Sequence, residues 1–145
     1  GENRYTYSRP TKDKTAEFFE VCKSLADYVF LDCTSSLDDS LSVYGMAAAD
    51  KAVQLVTPDI RSAAYYASFE KTYEQIKGKS IGVINITDKD LYLPVGEVKA
   101  GFSNAKYILP YSIYLKQQYI TGELTHKIPD QKFSAVCRGI AGAVL

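Results

Sequence analysis

The order of apolar runs predicts an α/β protein, with a three-layer, doubly wound, mostly parallel sheet and helices on both faces. Three observations carry that expectation. Short runs rich in β-branched and aromatic residues, "DYVFLD", "KAVQLVTPD", "SIGVINITD" and "AKYILPYS", alternate with longer stretches of helical spacing. The first of these runs is apolar without alternation, which suits a strand buried on both faces. Each run also ends in polar or turn-forming residues: Asp32 to Ser35, Thr57 to Asp59, Asn85 to Asp88, and Pro110 with Tyr111. In a doubly wound sheet, ligands sit at those carboxyl ends.

The elements follow in order. Residues 13–26, "DKTAEFFEVCKSLA", read as a helix, with Ala16, Phe19, Cys22, Leu25 and Ala26 recurring at helical spacing. The run 28–32 reads as the first strand. Residues 41–49 suit a short helix behind a Ser/Asp-rich loop, and residues 53–57 a second strand closed by Pro58, which cannot continue a ladder. A helix over 60–77 is predicted next, with Asp59 as its N-cap and Gly78 as its stop. The third strand ends near Asn85. A helix around 94–103, a fourth strand, a helical turn or more within 111–120 and a final helix over 130–145 complete the chain. No internal repeat, low-complexity segment or linker interrupts it, so residues 1–145 read as one domain.

Composition narrows the function classes. The chain has 145 residues, enough for one domain with a substantial core. Its 17 basic and 17 acidic residues cancel, so no bulk field draws it to nucleic acid or anionic lipid, although a local basic patch is compatible with that balance. No apolar run approaches the ~20 residues of a membrane span. The start, "GENRYTYSRP", has no apolar core of a secretory signal, and a first residue other than Met suggests a fragment or a processed tag. Cys22, Cys33 and Cys137 are odd in number and lack zinc-ligand spacing, which points to reduced thiols and a cytoplasmic setting. Twelve tyrosines are many for this length; those at 65, 66, 73, 107, 111, 114 and 119 suit either an interface or the boundary of core and surface.

Each candidate site residue has a functional and a plain structural reading. Asp32, after an apolar run, is placed as carboxylates are that hold Mg²⁺ directly or through water; it is also placed to cap a turn. Asp38 and Asp39 could add metal ligands, but helix capping explains them. Thr57, Pro58 and Asp59 form a strand-to-helix junction that capping also explains. The Asn85 amide can read a base edge with its paired donor and acceptor, or form a turn. His126, the one histidine, lies in a polar stretch that suits the surface. No GxxxxGK[ST] or GxGxxG occurs, and "IKGKSIG" runs from a helix stop into a strand, the reverse of a phosphate-binding loop.

In this order the strand ends resemble the ParA/MinD family of deviant P-loop ATPases. "LADYVFLDCTSSLDDSLSVYGMAAADKAVQLVTPDIRSAAYYASFEKTYEQI" resembles that family's strand ending in Asp, its helix ending in "aaD", its strand ending in "ttPd" and its long following helix. "IGVINITD" is similar to the family's strand ending in Asn, "AKYILPYSIYLKQQYITGEL" to its proline-containing segment, and "FSAVCRGIAGAVL" to its last helix. The resemblance covers roughly residues 24–145 and implies an incomplete P-loop NTPase-like fold. It implies that Asp32 acts on Mg²⁺ through water as a Walker-B-type carboxylate, and that Asn85 contacts the adenine edge. It further implies that Pro110 and Tyr111 pack on the base and that Asp59 stands at the dimer-facing end.

The implied protein binds ATP and Mg²⁺ when intact, forms a homodimer and positions a cargo such as DNA, a plasmid, or secretion or pilus machinery. The family's glycine-rich loop and lysine lie upstream of everything matched here, and the prolines after Asp32 are replaced. This chain alone is therefore expected neither to hydrolyse ATP nor to bind it tightly. The family's first strand lies between those corresponding to 28–32 and 53–57, so its removal would leave unpaired edges. Two alternatives stand beside this reading. One is a nucleotide-independent dimerisation or interaction domain derived from the family. The other is a receiver-like signalling domain with Asp32 as phospho-acceptor and Thr57 as switch. The final helix ends "IAGAVL", without the basic face of a membrane-targeting helix.

Overall fold

The computed structural model describes residues 10–35, 39–90, 93–102, 104–123 and 125–145. They fall into two compact units, one reaching Asp50 and one running from Lys51 to Leu145. Asp38 lies outside the described residues.

In the first unit, α1 spans Lys12–Leu25 and α2 spans Ser40–Ala48. Thr11 caps α1, its hydroxyl accepting from the Lys14 N–H, and Asp39 caps α2 by accepting from the Ser42 N–H. The buried face of α1 is Thr15 and Phe19, with Cys22 half-buried. Leu25, expected on that face, is 80% exposed. Gly45 is buried in α2 where a Cβ would stand 3.0 Å from the Leu31 side chain and 3.4 Å from Phe19. A side chain there would force the Leu31 side chain to give way by a few tenths of an ångström.

The predicted strand 28–32 does not form. The chain leaves α1 through Ala26 in an extended conformation, but residues 28–34 carry no ladder pairing. Tyr28 and Phe30, two apart on one side of the run, are exposed, and so are Val29 and Leu31 on the other. An apolar run becomes a strand only when a neighbour takes its backbone groups. None of the strands among the described residues does so.

The second unit holds β1 (Ala52–Val56), α3 (Ile60–Ser68), α4 (Glu70–Glu74), β2 (Ser80–Asn85), α5 (Val95–Gly101), β3 (Ala105–Leu109), α6 (Ile113–Thr121) and α7 (Gln131–Val144). The chain is thus α/β, with seven helices and a three-stranded parallel sheet among the described residues, an arrangement compatible with a doubly wound fold. The sheet order is β1-β2-β3. Central β2 is buried from Ser80 to Ile84, and Val83 and Ile84 are fully enclosed. Val56, Ile84, Val98 and Phe102 form the core, with Tyr66, Leu93, Val95 and Ala105 packed against it. The Tyr107 hydroxyl donates to the Gly139 carbonyl at 2.9 Å and ties β3 to α7.

The single helix predicted over 60–77 is instead broken. At Phe69 the backbone turns to φ −116° and ψ 14°, and a 3₁₀ turn at Lys77–Lys79 precedes β2. The Ser68 hydroxyl donates to the Ala64 carbonyl at 2.8 Å, a local bond of the kind that bends helices. Aromatic pairing then redirects the chain: Tyr66 stacks on Tyr73 and meets Phe102 edge-on. Burial pushes the Tyr73 phenol up to about 12. Gly78 falls inside the 3₁₀ turn rather than in the left-handed stop position. That role is taken by Gly122, at φ 77°, which closes α6.

Candidate functional site

Because the three strands are parallel, their carboxyl ends share one rim. In register Asn85 faces Leu109, and the Ile86 N–H donates to the Leu109 carbonyl at 2.9 Å. This pairing carries the β2 exit, Asn85 onward, alongside Pro110 and Tyr111. All three predicted base-contacting residues are half-buried, neither sealed in the core nor fully in solvent. Lys89, four residues past Asn85, places its ammonium 6.0 Å from the centre of the Tyr111 ring. Residue spacing carries no signal for that contact. It depends on how two loops from neighbouring strands return over the rim.

At the β1 end Pro58 is buried and Asp59 is the N-cap of α3, accepting from the Ser62 N–H at 2.9 Å. The Thr57 hydroxyl donates to the same carboxylate, and the Thr57 N–H donates to the Ser62 hydroxyl at 3.1 Å. The Thr57 hydroxyl first, and then the Ser62 N–H, hold the Asp59 carboxyl below the usual carboxylate range. Asp59 therefore has a complete structural role on the rim.

The first unit repeats this arrangement. The Ser42 hydroxyl donates to Asp39, and the Thr34 N–H donates to the Ser42 hydroxyl at 2.9 Å. Asp39 is likewise held low, chiefly by Ser42. Cys33 is anchored to α2 through a long contact from its thiol to the Ser42 carbonyl, and burial pushes that thiol up. Asp32, immediately before this anchored pair, is exposed and ends no strand. Among the described residues no group of three or more His, Cys, Asp or Glu side chains could hold a metal ion. Asp32 belongs to no such group among the described residues.

His126 is exposed, its Nδ1 3.7 Å from the Glu123 carboxylate. All three cysteines are free thiols; Cys22 and Cys137 are carried on α1 and α7. No helix among the described residues is long and apolar enough to cross a membrane. Set against protein-family models, curated proteins and solved structures, the chain gives no significant match.

Proposed function

We propose that this chain is part of a ParA/MinD-like, nucleotide-dependent positioning or partitioning protein, and that it supplies the adenine side of the nucleotide site. The observation that carries this reading is the juxtaposition of Asn85 with Pro110 and Tyr111 on adjacent parallel strand ends. An amide at a strand end offers one donor and one acceptor, the pair an adenine edge requires. A proline and a tyrosine beside it supply flat apolar surface for the ring. The sequence holds no glycine-rich loop or associated lysine, so the phosphates and Mg²⁺ would depend on residues that this stretch does not contain.

A further feature favours the same reading. β1 pairs only with β2, and its other edge is open among the described residues, while residues 28–32 stay unpaired. Open edges are what the resemblance implies for a chain lacking the family's first strand.

The test is adenosine and Mg-ATP titrated separately into the chain, followed by ligand-observed NMR. Both should bind weakly and with similar affinity, because only the base has a site. Asn85→Ala should remove most of that binding, whereas Asp32→Ala should leave it unchanged. Equal binding by Asn85→Ala and wild type would exclude Asn85 from any such site. Submicromolar Mg-ATP affinity would overturn the claim that this chain lacks a phosphate site.

The open β1 edge also favours a second reading, a nucleotide-independent interaction or dimerisation domain. Val53 is 43% and Leu55 62% exposed on that strand. A discrete dimer in sedimentation, with no adenosine binding, would favour this second reading over the first.

A further inference from the structure

The face of Tyr111 already has an occupant. Lys89 sits on the loop leaving β2, where the Asp88 carboxylate accepts from the Lys89 N–H at 2.7 Å. From there the Lys89 ammonium reaches to 6.0 Å from the Tyr111 ring centre, within the range over which a cation is held by an aromatic face. Lys89 is itself exposed. The attraction is therefore modest, and a better-fitting planar ligand can replace it.

We propose that Lys89 is an internal competitor for the Tyr111 face, displaced when a purine base stacks there. It would thus be a specificity-determining residue of the site. The inference rests on the nucleotide reading above, and it adds a residue and a direction to it. A cation over an exposed ring changes a binding constant by about two- to fivefold. Removing the charge while keeping the length of the side chain should therefore tighten the binding of an uncharged purine nucleoside by that factor.

The experiment uses the whole chain, Lys89→Met and Tyr111→Leu, with adenosine as the probe. The ε-methylene signal of Lys89, assigned by its loss in Lys89→Met, should be shifted by the ring current in wild type. It should return to the ordinary lysine position in Tyr111→Leu and as adenosine is added. Adenosine should bind Lys89→Met about two- to fivefold more tightly than wild type. Adenosine binding that leaves the Lys89 signal unmoved, or that is no tighter in Lys89→Met, would overturn the competitor role and leave the nucleotide reading standing. Weaker Mg-ATP binding by Lys89→Met with unchanged adenosine binding would make Lys89 an anion contact and also overturn the proposal. No adenosine binding by either protein at millimolar concentration would overturn both readings.

Discussion

At the scale of single residues, the capping aspartates carry the clearest energetic statement. Asp59 and Asp39 each accept a backbone N–H from the helix they start and a hydroxyl from a neighbour. Both carboxyls are held below their ordinary range. A carboxyl with a lowered folded pKa contributes stability above its unfolded value of about 3.9, and that contribution is lost as the pH falls through the folded value. Asp59→Ala should cost about 1 kcal/mol in urea unfolding at neutral pH, the usual loss for an N-cap. The gap from wild type should narrow as the pH drops below ~4. Asp59→Asn keeps a neutral acceptor and should show a smaller gap that closes over the same pH range, because the titrating group is the wild-type carboxyl. A gap in Asp59→Ala that stays constant to pH 3 would mean that the charge of the carboxylate is not what stabilises the cap. These caps were legible in the sequence because an Asp three residues before a Ser or apolar residue needs no partner from elsewhere in the chain. Asp32 was not legible in the same way: its predicted role depended on a strand, and a strand depends on a neighbour.

At the scale of elements, sequence reading succeeded where an element answers to its own pattern. The run "SIGVIN" became a central strand buried from Ser80 to Ile84, and the short helices α2 and α5 formed within a residue or two of expectation. It failed where an element answers to distant contacts. Helix 60–77 broke because Ser68 competes for a helix carbonyl and because Tyr66 finds Tyr73 and Phe102. None of those partners is visible from helical spacing. The "YVFLD" run has the apolar character of a strand, and no strand among the described residues pairs with it. β1 shows the same lack from the other side. Its five residues "AVQLV" carry no charge, proline or bulge, the devices that usually protect an edge, and no strand among the described residues pairs with its outer side. Leu55→Lys places a charge on this exposed position without removing a buried contact. It should change the unfolding free energy by no more than about 0.5 kcal/mol. It should also lower any self-association of the chain measured by sedimentation across a concentration series. Unchanged association in Leu55→Lys would clear the β1 edge of any part in it.

At the scale of the whole molecule, burial is uneven, and that unevenness should govern how the chain opens. In the second unit, β2 is paired on both sides, Ile84 packs with Val56, Val98 and Phe102, and Val83 is fully enclosed as well. The first unit buries Thr15, Phe19, Ser42 and Gly45, while Phe18, Leu25 and Phe30 are 52%, 80% and 80% exposed. Amides open with free energies that range from near zero up to that of global unfolding, according to the buried contacts that must break first. Two helices held by so few buried side chains sit toward the lower end of that range, and a doubly paired central strand sits at the upper end. Hydrogen exchange should therefore be slowest for the amides of β2 from Val83 to Asn85. The amides of α1 and α2 should exchange about a hundredfold faster or more, a difference of at least ~2.8 kcal/mol in opening free energy. A single denaturant transition followed by one probe would then not describe the chain, since the first unit would open before the sheet. Equal protection in α1, α2 and β2 would instead mean that the two units unfold as one cooperative body. The apolar residues exposed on the first unit would then have to be stabilised by contacts other than those that hold Thr15 and Phe19.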